Sequence, residues 1–405
     1  MALQYLRLRP SPRGPLVQLL AARSRQFSAC APAAHPQTAM FFPGTLPAPP
    51  ARARLTHPGQ GTQKVGMLTR LAETFPRTVG PLLEQLDHTL PPADGQPPLS
   101  RIISWGPNET ITATENAQPA ILFTSIAILR VLEAEFGQRA LAADTRFFLG
   151  HSLGEFTALV AAGVLELPDA LRLVRRRGEV MRDCAVRASQ PEMEGGPGQT
   201  GMMALLVKKD LLPQLIAHVN TFIHSETLPN DEFLSIANVN SSTQIVLSGH
   251  LKAINACITH VRKFSGDDPR ALKINVSAPF HSMIMAPAVP VVARMLGEMD
   301  LRFPPPGGAE VLANVTARPY ESVEELREVL ARQCTTTVRW AESIQYLDHE
   351  RDVTRWIGIG PGMVGRNLVG REVRGGMKRV VGIEGVDAKS IEDALNELEK
   401  MPSAI

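Results

Sequence analysis

Apolar positions along the chain fall into two patterns, helical spacing and short continuous runs. Gln118–Leu132 places Ile121, Leu122, Ile126, Leu129 and Leu132 after an early Pro119, which predicts a long buried helix. Thr145–Leu149 is an apolar run of strand length, and Glu155–Val164, rich in Ala, Leu and Val, predicts a second helix. Leu167–Cys184 opens Leu-Pro-Asp and predicts a basic helix, after which the Gly-, Pro- and Gln-rich 188–200 predicts a linker. Between about 201 and 275, the strand-like runs Met202–Val207, Phe233–Val239 and Gln244–Leu247 alternate with the helical runs Asp210–Val219 and Leu251–Phe264. A strand–helix–strand–strand–helix–strand order predicts a compact ferredoxin-like unit. The chain then returns to helices and strands, so from about residue 60 the alternation predicts an α/β fold. No internal repeat is visible.

Length and composition narrow the class. At 405 residues the chain suits one large domain with a smaller one, and 44% hydrophobic against 20% charged residues exclude wholesale disorder. No apolar stretch reads as long enough to span a bilayer, so no membrane span is expected. Cys30, Cys184, Cys257 and Cys334 lie far apart without C-x-x-C spacing, which excludes a disulfide scaffold and a zinc ribbon. No His/Cys/Asp/Glu cluster has ligand spacing, so no metal is expected.

The charge is unevenly spread. Residues 1–27 hold Arg7, Arg9, Arg13, Arg23 and Arg25, and the first acidic residue is Glu73. Without those five arginines the formal charge drops from +2 to about −3, which removes the case for nucleic-acid binding. An Arg-rich, acid-free leader broken by Pro10, Pro12 and Pro15 has the composition of a mitochondrial transit peptide, not of a secretory signal. Arg25-Gln26-Phe27-Ser28 looks like a matrix-protease site. A mitochondrial matrix location with free thiols is therefore expected.

Candidate chemistry centres on Phe147-Phe148-Leu149-Gly150-His151-Ser152-Leu153-Gly154-Glu155, an apolar run passing through Gly-x-Ser-x-Gly into a helix. A nucleophilic serine needs such a sharp turn, and backbone N–H groups at the helix start can hold an oxyanion. The five-residue string alone turns up in roughly one chain in ten of this length, and an inert capping serine would give the same string. The serine needs a base. His281, in Asn275-Val276-Ser277-Ala278-Pro279-Phe280-His281-Ser282-Met283, reads as ending a strand before an apolar helix. Strand ends are where catalytic side chains collect in α/β proteins, although a histidine there also serves as a structural cap.

Gly150–Glu155, Gln118-Pro119-Ala120, Pro58-Gly59-Gln60-Gly61-Thr62-Gln63, Pro279-Phe280-His281-Ser282 and Gly358-Ile359-Gly360-Pro361-Gly362 occur in an order that resembles the malonyl-CoA:acyl carrier protein transacylases. The match runs over about 58–385. The leader, with Gly365-Arg366-Asn367-Leu368-Val369-Gly370, resembles mitochondrial members of fungal type. The resemblance implies an α/β-hydrolase-like acyltransferase domain with a parallel sheet and an inserted ferredoxin-like subdomain. On that basis 1–27 is a transit peptide and 28–59 linker and insert; 60–199 and 277–400 form the large domain, and 200–276 the small one.

The resemblance also implies roles. Ser152 carries the acyl group, His281 is the base, and the main-chain carbonyl of Gln333 orients it. Leu153 and Gln60 donate oxyanion N–H groups, Gln118 lines the pocket, and Phe280 crowds the α-carbon. Arg177 takes the free carboxylate of malonate, a role its bidentate fork suits; otherwise it is one more arginine on a basic face with Arg172, Arg175 and Arg176. The implied substrates are malonyl-CoA and phosphopantetheinylated acyl carrier protein, with no cofactor and a monomeric enzyme. A serine hydrolase of lipase or phospholipase type shares the turn, and a non-catalytic module could retain it.

Three features fit less simply. Phe41-Phe42-Pro43-Gly44 is parted from Gln60-Gly61 by the proline-rich 45–59, which reads as a lineage-specific loop or a splice-boundary error. Gly360-Pro361-Gly362-Met363-Val364-Gly365 matches G-x-G-x-x-G, but too little chain follows for a dinucleotide-binding half-fold. Arg366–Arg379 reads as a solvated basic face, or as a docking patch for an acidic carrier protein.

Overall fold

Continuous apolar runs suit strands covered on both faces. β1 (Thr38–Phe42) and β2 (Phe147–Gly150) are buried at every residue. With β7 (Glu310–Val311), β8 (Arg355–Ile359) and β9 (Val380–Ile383) they form a five-stranded parallel sheet in the order β7–β2–β1–β8–β9. Phe42 pairs with Gly150 and Phe41 with Gly358, so the carboxyl ends of the central strands lie side by side. The computed structural model describes residues 37–44, 63–137, 145–189, 198–265, 268–274, 276, 278–385 and 387–401. The leader 1–27, the stretch 45–59 and Gln60 lie outside the described residues.

β1 corrects the reading of 28–59 as linker and insert. A five-residue strand in the middle of a sheet shows no polar alternation, and the prolines that follow masked it.

Helices cover the sheet. α1 (Thr69–Thr74), α2 (Pro76–Thr89), α3 (Leu99–Trp105) and α4 (Asn108–Thr112) lead to α5 (Thr114–Glu135), and α6 (Leu153–Ala161) and α7 (Leu167–Ala188) follow β2. α5 corrects the expectation that no stretch could span a bilayer, because its length and hydropathy are sufficient. It packs against α6 and α7, and 83% of its apolar window is buried inside the fold. Its apolarity is that of a core helix.

The small subdomain has the predicted order: β3 (Thr200–Leu206), α8 (Leu212–Ile223), β4 (Leu234–Ser241), β5 (Gln244–His250), α9 (Leu251–Ser265) and β6 (Arg270–Ile274). Its antiparallel sheet runs β4–β5–β3–β6, a ferredoxin-like arrangement. β4 also joins the large domain. Val239 donates its N–H to the Val338 carbonyl at 3.0 Å, and Val338 donates to Ala237 at 2.8 Å. The chain then continues through α10 (Ala288–Glu298), α11 (Val323–Arg332), α12 (Trp340–Gln345), α13 (Val364–Glu372) and α14 (Ala388–Glu399).

The basic tract Arg366–Arg379 is only partly a solvated face. Arg379 is 4% exposed and bonds to the carbonyls of Thr354 at 3.0 Å and Arg374 at 2.8 Å, and it pairs at 3.0 Å with the fully buried Asp348. Arg374 pairs with the same carboxylate. Removing one partner of a buried pair strands the other charge. Asp348→Ala is therefore expected to destabilise the fold by about 3 kcal/mol, read as a lower guanidinium midpoint; an unchanged midpoint would show that the backbone carbonyls alone satisfy Arg379.

Candidate active site

Ser152 follows β2 directly and is the N-cap of α6, with φ 52° and ψ −109°. A non-glycine residue in that region costs roughly 1–3 kcal/mol and persists only where its surroundings impose it. Here the imposition is steric. A Cβ at Gly150 would lie 1.9 Å from the Gly154 backbone, and one at Gly154 would lie 2.4 Å from the Phe42 carbonyl oxygen. The turn can thus press against its own helix and against β1 only with glycine on both sides of Ser152.

Asn314, just beyond β7 on the neighbouring strand, completes the clamp. Its Oδ1 accepts the Ser152 N–H at 2.6 Å, and its Nδ2 donates to the Gly150 carbonyl at 2.7 Å. Sequence reasoning missed Asn314, because nothing local marks a residue whose partners lie more than 160 positions earlier.

The structure brings Ser152, His281 and Gln333 into one line. Ser152 Oγ lies 2.7 Å from His281 Nε2, and His281 Nδ1 lies 2.8 Å from the Gln333 carbonyl oxygen. A carbonyl only accepts, so Nδ1 carries the proton and Nε2 is left to accept the serine O–H. Gln333 is the C-cap of α11. Carbonyls at a helix end lack an intrahelical partner and carry the negative end of the helix dipole. This carbonyl can therefore orient the imidazole and favour its charged form as the proton transfers. Burial first, then the nearby Arg177 charge, lower the His281 pKa to about 3, so the resting ring is neutral.

His281 does not end a strand, contrary to the sequence reading. β6 stops at Ile274 in the small sheet, and His281 sits at φ 58° in the turn that leads back to the large domain. Leu153 is the first residue of α6, so its N–H lies outside the helix ladder at the positive end of the dipole. Phe280 is 7% exposed and packs in the main apolar core beside the base.

Arg177 is 2% exposed. Its Nη1 donates to Gln118 Oε1 at 2.8 Å and its Nη2 to Gln333 Oε1 at 3.0 Å. Arg172 and Arg176 instead pair with Asp169 and Glu179 near the surface. The sequence did carry a signal: Arg177 shares the apolar stripe of Leu173, Val180, Met181 and Cys184, all buried. Its Nε is buried without a partner, so donor capacity remains for an anion.

Glu155 and Tyr320 were also missed. Glu155 is buried at the third position of α6, its Oε1 accepts from the Tyr320 hydroxyl, and its Oε2 accepts from Gln333 Nε2 at 2.6 Å. Burial raises its pKa to about 7. A lone charged residue among buried neighbours from Leu153 to Val160 was the available clue.

His151 joins the two subdomains, with Nε2 2.8 Å from Asn240 Oδ1 on β4 and its ring edge-on to Trp340. The Gly360–Gly365 turn borders a cavity of about 10 Å³ lined by Phe41, Pro43, Gly362 and Arg366, room for one water and not for a nucleotide. Cys184, Cys257 and Cys334 are free and buried.

A strand-to-helix serine, a neutral histidine held by a carbonyl and a dry arginine define a serine acyl-transfer enzyme. The acyl transferase domain model matches residues 56–196. The malonyl CoA-acyl carrier protein transacylase of Bacillus subtilis is 34% identical over 343 residues, covering 85% of this chain and 96% of that protein. That of Escherichia coli K12 is 31% identical over 316 residues, covering 78% and 91%. The crystal structure of FabD from Acinetobacter baumannii superposes with a TM-score of 0.70 at 30% identity, covering 90% of this chain and 99% of that one. A malonyl-transacylase in complex with a type II PKS acyl-carrier protein gives 0.70 at 28%, covering 89% and 99%. The chain belongs to the malonyl-CoA:acyl carrier protein transacylase family.

Two measurements test the geometry. With His281 held neutral, kcat/KM for acyl-enzyme formation should keep its acid limb well below the ordinary histidine value of 6.5, towards the lowered value of about 3; a limb at 6.5 would mean that His281 titrates as if exposed. Asn314→Leu should strand the Ser152 N–H and the Gly150 carbonyl at about 1–3 kcal/mol each, slowing acylation and lowering the melting temperature together. Full activity in that variant would remove Asn314 from the site.

Proposed function

We propose that the protein transfers malonyl from malonyl-CoA to the phosphopantetheine thiol of acyl carrier protein. The observation that carries this reading is a buried Arg177 tied through Gln333 to the Ser152–His281 pair. Ser152 Oγ attacks the thioester carbonyl, and His281 Nε2 takes its proton. The tetrahedral oxyanion faces the Leu153 N–H at the head of α6, and in the family pattern the N–H of Gln60 as well. CoA leaves as the thiol with the proton from His281. In the second half the carrier thiol gives its proton to His281 and attacks the malonyl-serine ester, and Ser152 recovers its hydrogen. The cycle balances with serine and histidine alone and needs no cofactor.

Malonyl differs from acetyl by one carboxylate, and a guanidinium in a dry pocket discriminates by that charge. Gln118 holds the Arg177 fork from the other side, and Phe280 limits room at the α-carbon. The Arg-rich, acid-free leader supports a mitochondrial matrix location, and Gly365–Gly370 a fungal type. We take the enzyme to act as a monomer.

Incubation with malonyl-CoA should add one malonyl group to the intact mass, and Ser152→Ala should abolish the adduct. A labelled Ser152→Ala protein would end the serine reading, and hydrolysis without transfer to carrier protein would favour the hydrolase. Arg177→Ala should lower kcat/KM for malonyl-CoA by a penalty on the order of 2–5 kcal/mol while acetyl-CoA loses little. Equal losses would assign Arg177 to the fold. A fluorescent fusion should reach mitochondria only with residues 1–27 present, and matrix import without them would remove the leader's role.

A further inference from the structure

Glu155 takes no part in either proton transfer, yet it is 1% exposed and engaged at both oxygens. One of those oxygens ties it to Gln333, whose Nε2 donates to Glu155 Oε2 at 2.6 Å and to the Ser152 carbonyl at 2.9 Å. A carbonyl accepts and cannot donate, and Glu155 turns an accepting oxygen to the same NH2 group. The amide is thus fixed end for end, and its Oε1 must face the other way, where it accepts from Arg177 Nη2 at 3.0 Å. With the amide reversed, an NH2 group would face the guanidinium, donor against donor, inside a buried site. The Tyr320 hydroxyl holds the far oxygen of Glu155, so the carboxyl cannot swing away.

We propose that Glu155 is a specificity-determining positioning residue: by accepting from Gln333 Nε2 it keeps the Gln333 side-chain oxygen on Arg177, and so holds the guanidinium in place for a carboxylate on the acyl group. This rests on the malonyl-transfer reading above. Glu155 touches no reacting atom. Its effect reaches the substrate through two hydrogen bonds, and it acts on acyl choice, separately from the Gln333 main-chain carbonyl that serves His281.

The test separates reach from charge. Glu155→Asp keeps the carboxyl group but withdraws the acceptor by one methylene, whereas Glu155→Gln removes the ionisable group and keeps an acceptor oxygen at full reach. Steady-state kinetics with malonyl-CoA and acetyl-CoA, at matched melting temperatures, give the ratio of kcat/KM. Glu155→Asp should lower the malonyl-to-acetyl ratio by about tenfold or more, mostly through KM for malonyl-CoA, and Glu155→Gln should stay within about threefold of wild type. If Glu155→Asp does not fold, the Gln variant decides: a retained ratio supports the proposal and a lost one overturns it. Equal loss for both substrates, or greater loss in Gln than in Asp, overturns it too. Arg177→Ala separates the two levels. Ratio collapse there without collapse in Glu155→Asp defeats only the role of Glu155, whereas an unchanged ratio in Arg177→Ala defeats the carboxylate-clamp reading itself.

Discussion

The site depends on one residue at the end of one helix. Gln333 uses its main-chain carbonyl, released by the end of α11, to fix the tautomer of His281. It uses its side chain to join the Ser152 carbonyl, Glu155 and Arg177. A helix C-terminus supplies a directed partial negative charge without a buried carboxylate, and so avoids the desolvation cost that a full charge would carry. His281 and Arg177 therefore share one anchor, and a displacement of α11 would disturb both.

Strain and packing hold Ser152 against that anchor. Ser152 and His281 both sit at positive φ, and each is kept there by contacts from elsewhere in the chain. The parallel sheet places the Ser152 turn at the carboxyl edge of β2, beside β1, with Asn314 arriving from β7. The small subdomain reaches the same turn through Asn240 and His151. Both sides of the site thus bear on five residues of backbone.

Burial sets the electrostatics. His281 stays uncharged because desolvation, with Arg177 nearby, disfavours a second cation. Arg177 keeps polar partners on both outer nitrogens and faces Glu155 within the same network. In a medium of low effective dielectric that guanidinium would attract any negative charge far more strongly than it does in water.

The sequence by itself determined the α/β alternation, the order of the ferredoxin-like unit and the turn around Ser152, because each is written in local periodicity or in glycines that the backbone needs. It also held Ser152, His281 and Gln118 as candidates through motifs in order, and Arg177 and Gln333 through the family resemblance that those motifs carry. It did not disclose β1, whose residues are buried on both faces and show no alternation. Nor could it disclose Asn314, Tyr320 or the side-chain role of Gln333, which join positions from 156 to 181 residues apart. Hydrogen bonds between distant segments leave no period along the chain. They exist only once the sheet order and the helix ends have brought their donors and acceptors to bonding distance.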